Sequence, residues 1–223
     1  MDWKTVSQQT PIFLNLGGGR DCHPVRYYQQ YIAVDSTPRS AWAVKHDLQE
    51  AIPLPDNSVQ RVLTEDFLEH LPRKSMQAVI GETFRILVPG GFMRIGVPDY
   101  HNPKDRVYLE QGHDPRFPGH QTLTHYRLMQ EIIADSPFRR AVFYQYWLDG
   151  VYHWQPIDYS VGFIKRTPEN YYANYMQQGR RWLHIALEKL RLGRHNEKAV
   201  ASTIRFGHPL FATEIVIDLF KDG

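Results

Sequence analysis

The residues best suited to bind a ligand are a run of glycines and two isolated carboxylates near the start of the chain. Gly17, Gly18 and Gly19 follow an apolar segment over residues 11–16, in which Asn15 is polar. Glycines let the backbone turn sharply and approach a ligand closely, with backbone N–H groups free to bind it. Asp35 and Asp47 each follow a further apolar segment, where a carboxylate can accept the hydroxyls of a ribose or cap the next helix.

A mostly parallel sheet would bring these groups to one edge. Strand-like segments and helix-like segments alternate over residues 11–100, which is typical of a sheet with helices on its faces. We expect strands over residues 11–16, 31–34, 41–44, 59–64 and 92–97, and a helix over 73–87 that ends at Pro89, Gly90 and Gly91. Since open α/β sheets bind ligands at the carboxyl ends of their strands, the glycines and both aspartates would lie there together.

The second half of the chain is less regular. Residues 98–119 contain four prolines and little periodicity, which predicts a long loop. A helix is expected over 122–135, a strand over 140–147, irregular structure over 148–165, a helix over 177–192 and a last strand over 212–220.

Several segments, in order and spacing, resemble class I S-adenosylmethionine-dependent methyltransferases. They are Gly17-Gly18-Gly19, Asp35, Asp47-Leu48, the run 54–63, Phe67-Leu68-Glu69-His70-Leu71 and Arg85-Ile86-Leu87-Val88-Pro89-Gly90-Gly91. The resemblance covers about residues 11–100. It implies a three-layer α/β/α Rossmann-like fold with a seven-stranded, mostly parallel sheet, whose last strand is antiparallel and follows a helical insertion.

The resemblance also implies a cofactor, S-adenosyl-L-methionine, and the residues that hold it. Gly17 and Gly19 would lie beside its aminocarboxypropyl end, together with the adjoining Asn15 and Gly18. Asp35, with Ser36 next to it, would hold the ribose, and Asp47 with Leu48 would meet the adenine. Glu65 and Asp66 would face the methionine end. His23-Pro24 departs from the family, because proline would shorten or shift the helix that normally follows the glycines.

Two other functions stay open on these residues. A dinucleotide oxidoreductase would use the same sheet and the same acidic residue, but the third glycine of its fingerprint falls at Cys22. A non-catalytic relative that binds the cofactor without turnover is the second alternative.

Methyl transfer is a direct displacement, so the protein mainly aligns the acceptor and can supply a base. The candidate catalytic residues are His120, His101 and Asp66, of which the histidines lie in or beside the loop after the fifth expected strand. A metal site could be imagined from His113, Asp114, His120 and His125. We expect none, because the five-residue spacing of His120 and His125 does not place them on one helix face.

Composition limits the classes of protein and partner. The chain has 223 residues, 42% hydrophobic and 22% charged, with a formal charge of +2. These values exclude disordered and fibrous classes and do not favour nucleic acid, although residues 165–205 carry nine basic side chains against three acidic ones. The single cysteine excludes an intrachain disulfide, and no apolar run is long enough to span a membrane. We expect a cytoplasmic protein with a small-molecule or glycan acceptor.

The expected organisation is one domain over residues 1–223. Residues 11–100 would form its cofactor-binding half, and the loop 98–120 with the insertion 148–205 would form a lid over the acceptor.

Overall fold

The computed structural model of the chain describes residues 1–18, 31–38, 40–41, 43–162, 164 and 213–223. These residues form one eight-stranded sheet with helices packed on it. The strands are β1 (Phe13–Leu16), β2 (Ile32–Asp35), β3 (Val44–Lys45), β4 (Val59–Glu65), β5 (Leu87–Pro98), β6 (Arg140–Leu148), β7 (Val151–Trp154) and β8 (Glu214–Phe220). The helices are α1 (Trp3–Ser7), α2 (Arg73–Ile86), α3 (Arg106–Gln111) and α4 (Tyr126–Ala134), with a 3₁₀ turn at Leu68–His70.

The strand order is β3-β2-β1-β4-β5-β8-β6-β7. Strands β1 to β5 pair with one another in parallel, and β8 lies antiparallel between β5 and β6. The predicted α/β, Rossmann-like sheet with an antiparallel last strand is therefore confirmed.

The predicted number of seven strands is wrong, because the sheet has an additional strand, β7, at its edge. Strand β7 pairs antiparallel with β6 across Leu148 and Val151, and the two residues between them have positive φ angles, 51° at Asp149 and 78° at Gly150. Positive φ at both turn positions matches the twist of a tight hairpin, and Asp-Gly is a preferred pair there. The irregular structure expected over 148–165 is therefore interrupted by a regular strand.

The loop expected over residues 98–120 also contains an element, the helix α3. It ends at Gly112, whose φ of 75° places it in the left-handed conformation that commonly ends helices. None of its residues is buried, so the helix leaves no apolar periodicity in the sequence.

Helices α2 and α4 cover one face of the sheet. Helix α2 buries a stripe at helical spacing, and α4 buries a second stripe beside it. Both stripes join one core with alternate strand residues; the cluster includes Leu14, Leu16, Met76, Ile80, Met93, Ile95, Ile132 and Ile217. Helix α2 ends before Val88, since a residue that precedes proline disfavours helical dihedrals.

The opposite face carries a smaller core and a buried ion pair. Leu63 and Val216 point to this face and pack with Ile164. Arg94 on β5 forms two hydrogen bonds of 2.7 Å with its cross-strand neighbour Asp218. Its third nitrogen donates to the backbone oxygen of Asp158 at 2.7 Å, which holds the segment after β7 against the sheet.

Two expected features lie outside the described residues. They are the helix after the glycine run, within 19–30, and the helix expected over 177–192, in the part of the insertion 148–205 beyond residue 164.

Candidate functional site

Strand register places the predicted ligand-binding groups in one row. Leu16 at the end of β1 pairs with Val34 of β2 and with Thr64 of β4, so Gly17, Asp35 and Glu65 follow at the same level. The chain order reverses between β1 and β4, which are neighbours in space but not in sequence. Such a reversal opens a crevice at the carboxyl ends of the strands, where open α/β sheets bind ligands.

The glycines of this row are required by close packing. Gly17 has a φ of +77°, and a Cβ atom there would lie 2.5 Å from the side chain of Phe67. A Cβ on Gly18 would lie 2.4 Å from the Nδ2 of the buried Asn15. A larger residue would therefore require the Phe67 or Asn15 side chain, or the glycine backbone, to move; Gly19 lies outside the described residues.

Asp35 is half-buried at the end of β2 and forms a local turn. Its Oδ1 accepts hydrogen bonds from the backbone N–H of Thr37 at 2.7 Å and from the Thr37 hydroxyl at 3.3 Å. One carboxylate oxygen therefore fixes the loop that follows the strand, and no helix for Asp35 to cap begins among the described residues up to 38. The adjacent Ser36 is exposed.

Asp47 and Leu48 follow β3, which is only two residues long. Asp47 is exposed, and its Oδ1 accepts from the backbone N–H of Gln49 at 3.0 Å. The side chain of Leu48 is part of the core, so its backbone is what can contact a ligand.

Glu65 is the last residue of β4, and Asp66 follows it. Asp66 has a positive φ of 52°, and its N–H donates to the backbone oxygen of Gly96 at 3.1 Å. Carboxylate oxygens of Glu65, Asp66 and the buried Glu214 lie within 4.8 Å of one another. These acidic groups give the crevice negative charge on its β4 side.

His120 lies in a network that the sequence did not predict. Its Nδ1 is 2.7 Å from the hydroxyl of Tyr100, which donates to Asp114 at 3.1 Å. Hydrogen bonds from Arg116 lower the pKa of Asp114 and hold it as a carboxylate. On its other side, the Nε2 of His120 is 3.8 Å from the carboxylate of Glu69. The sequence did not point to Glu69 and Tyr100 as neighbours of His120, because both lie far from it along the chain.

His101 follows β5 at a different place. Its ring stacks on His125 with centroids 4.4 Å apart, and burial lowers the pKa of both, to about 4 for His125. Both rings are therefore neutral at neutral pH. His101 also lines a cavity of about 170 Å³, whose other lining residues are Arg106, Leu109, Glu110, Asp149 and Gly150.

Asp99, just before His101, is buried at the end of β5. Its two oxygens accept from the backbone N–H groups of His101 at 3.0 Å and of Trp147 at 2.6 Å. Burial nevertheless raises the pKa of Asp99 to about 7.

The four residues considered for a metal site do not come together. Within the described part of the chain, the clusters of metal-ligand type are Glu69 with His70 and His120, and Glu65 with Asp66 and Glu214. His125 caps α4 instead, where its Nδ1 accepts from the N–H of Leu128 at 3.3 Å. His113 is exposed.

Comparison with known sequences gives a match over the cofactor-binding half expected from the sequence. Residues 14–95, which run from β1 through most of β5 and include the whole row, match a family described as "Methyltransferase domain". This part of the chain is therefore similar to the methyltransferases that its sequence motifs resemble. No curated protein sequence matches the chain significantly.

Solved structures share the fold of this chain. A SAM-dependent methyltransferase from Archaeoglobus fulgidus is 16% identical, with 97% of this chain and 89% of that chain covered and a TM-score of 0.55. A possible histamine N-methyltransferase from Thermotoga maritima is 14% identical, with coverages of 96% and 84% and a TM-score of 0.55. Phosphoethanolamine N-methyltransferase 2 of Haemonchus contortus, in complex with S-adenosyl-L-methionine, is 13% identical. The match covers 99% of this chain and 51% of that chain, with a TM-score of 0.51.

No helix among the described residues is long and apolar enough to cross a membrane.

Proposed function

We propose that the methyltransferase domain moves a methyl group from S-adenosylmethionine to a hydroxyl oxygen of a small-molecule or glycan acceptor. The observation that carries the proposal is the row of Gly17, Asp35 and Glu65 at the topological switch point, inside the segment that matches the family. This row offers a closely packed glycine turn, a carboxylate for a diol and a second carboxylate for a cationic group.

The residues of the crevice fit this cofactor. Gly17 and Gly18 pack against the side chains of Phe67 and Asn15 at the end of β1, and we infer that their peptide groups face the aminocarboxypropyl group. Asp35 holds the ribose hydroxyls, while Asp47 and the backbone of Leu48 meet the adenine. Glu65 and Asp66 balance the positive charge of the methionine end.

When bound, the cofactor supplies a methyl group on a positively charged sulfur, which a single displacement transfers. The chain's own task is to hold the acceptor oxygen in line and to take its proton. Of the predicted catalytic residues, His101 is best placed for the proton, because it is neutral and lines the cavity. His120 and Asp66 are the alternatives on the β4 side of the crevice.

The cavity beside His101 supports the prediction that the loop 98–120 and the insertion 148–205 contact the acceptor. It is lined from the segment 98–120 by His101, Arg106, Leu109 and Glu110, and from the β6–β7 turn by Asp149 and Gly150. We infer that these segments cover the acceptor; the part of the expected lid over 165–205 lies outside the described residues. One sheet built from residues 13–220 supports a single domain.

The test uses radiolabelled S-adenosylmethionine with the full chain and three acceptor pools: sugars, small hydroxylated metabolites and RNA. Label should enter one of the first two pools. His101→Ala should lower turnover about a hundredfold, since base catalysis typically contributes about 10² to 10⁴, and leave cofactor affinity unchanged. The exposed His113→Ala is the matched control. Label in RNA alone would contradict the acceptor class, and tight cofactor binding without label in any pool would favour the non-catalytic alternative.

A further inference from the structure

We propose that Glu69, His70 and His120 form a binding site for a divalent transition-metal ion of the Zn²⁺ type. The Oε1 of Glu69 is 3.8 Å from the Nε2 of His120 and 4.0 Å from the Nε2 of His70. The three ligand atoms all lie within 4.8 Å of one another. An ion about 2.0–2.2 Å from each atom would fit between them with little movement.

The hydrogen-bond network fixes which nitrogen of each ring faces the centre. A carbonyl oxygen can only accept, so the Nδ1 of His70 carries the proton that it donates to Gly119 at 2.9 Å. The hydroxyl of Tyr100 donates to the Asp114 carboxylate, so it accepts from the Nδ1 of His120 at 2.7 Å. The Nε2 of each ring, on the opposite side from Nδ1, therefore faces Glu69.

The Nε2 atoms of both rings and a carboxylate oxygen thus converge at distances that leave room for an ion between them. A carboxylate buried as deeply as that of Glu69 is stabilised by positive charge beside it. The outer contacts also match those of metal-bound histidines, which commonly donate their second nitrogen to a carbonyl or to a group held by a carboxylate. Both arguments favour a cation at this point.

The surroundings favour a nitrogen-binding ion over Mg²⁺ and leave it an open side. Two imidazoles and one carboxylate suit zinc and its neighbours, whereas Mg²⁺ prefers oxygen ligands alone. The side chains of Glu69 and His120 are 1% and 7% exposed, but that of His70 is 46% exposed. Three protein ligands leave a coordination position for water or another oxygen.

The site is held at the edge where the crevice opens. Glu69 and His70 lie on the 3₁₀ turn directly after β4, and His120 comes from the segment after β5. The N–H groups of Gln121 and Thr122 donate to the backbone oxygen of Glu69 at 2.9 and 3.0 Å, which fixes the two segments together. The inference does not depend on the proposed function, although it differs from the expectation that the chain has no metal site.

The test measures zinc binding to chelator-treated full chain by competition with a chromophoric chelator. We expect one equivalent of Zn²⁺ with micromolar or tighter affinity, and visible absorption from Co²⁺ bound in its place. His70→Ala and His120→Ala should each weaken binding at least about tenfold, and His113→Ala should not. Because His70 is half-exposed, its variant decides the question if His120→Ala does not fold, as judged by near-ultraviolet circular dichroism.

Three outcomes would overturn the site: no zinc binding, binding of Mg²⁺ only, or equal zinc binding by all the variants. The last would assign zinc to scattered surface histidines. Calorimetry with S-adenosylhomocysteine on the same samples keeps the result separate from any failure of cofactor binding.

Discussion

Asp35 has two roles in the proposed site that a pair of substitutions can separate. Its Oδ1 accepts from the N–H and hydroxyl of Thr37, and the proposed site assigns the charge of the carboxylate to the ribose. Asp35→Asn keeps an oxygen for the turn and removes the charge. Asp35→Ala removes both.

The expected magnitudes differ accordingly. Hydrogen bonds to a charged group contribute about 1.5–3 kcal/mol, so both variants should bind S-adenosylhomocysteine about tenfold to a hundredfold more weakly. Loss of the turn contacts should lower the free energy of unfolding by about 1 kcal/mol in Asp35→Ala. The change in Asp35→Asn should stay within about 0.5 kcal/mol.

Isothermal titration calorimetry measures the affinity, and urea unfolding measures the stability. Asp222→Asn, which removes an exposed carboxylate after β8, is the charge-matched control and should change neither. The reasoning is refuted if Asp35→Ala unfolds more easily but binds S-adenosylhomocysteine as well as the wild type. Asp35 would then be a structural residue only.

Three further substitutions test the packing and charge described above, each by urea unfolding. Gly17→Ala should lower the free energy of unfolding by about 1–3 kcal/mol more than Gly112→Ala does. Both glycines have φ near +75°, but only an alanine at position 17 would place its Cβ against a side chain. Equal losses would show that the loop relaxes freely. Asp218→Asn leaves the buried Arg94 without a counter-charge and should lower the free energy of unfolding by about 3–5 kcal/mol. Asp149→Asn, which alters an exposed ion pair, should lower it by less than about 1 kcal/mol. Similar losses would contradict a buried ion pair at Asp218. Burial raises the pKa of Asp99 from 3.8 to about 7. Between these two values the native state keeps a proton that the unfolded state releases. The free energy of unfolding should therefore fall by at most about 4 kcal/mol as the pH rises from about 4 to about 7. In Asp99→Asn that part of the pH dependence should disappear, and unchanged pH slopes would show that Asp99 ionises normally.

The parallel half of the sheet was predictable because its strands are buried on both sides. Short, largely apolar runs predicted β1 and β2, the strand expected over 59–64 matches β4, and the stripe of α2 predicted its bounds to within one residue. Strand β3 is shorter than expected, since only Val44 and Lys45 pair with β2.

The elements that were missed lack a buried pattern. Helix α3 buries no residue, so burial imposes no periodicity on it. Strand β7 lies at the edge of the sheet and carries no buried residue either. The Asp149-Gly150 pair was its available signal, because both positions tolerate positive φ.

The candidate site was only partly predictable for a different reason. Strand order and register could place Gly17, Asp35 and Glu65 in one row, since each directly follows a strand segment. Glu69 and His120 are separated by 50 positions, and backbone hydrogen bonds between their loops bring them together. Loop contacts of this kind leave no periodic trace in a sequence.

The most direct test of the account is calorimetric titration of the full chain with S-adenosylhomocysteine and, separately, with NAD. We expect S-adenosylhomocysteine to bind once per chain with a dissociation constant in the micromolar range, about −8 kcal/mol, and NAD not to bind. Binding of NAD without binding of S-adenosylhomocysteine would contradict the assignment of the crevice and favour a dinucleotide-dependent oxidoreductase.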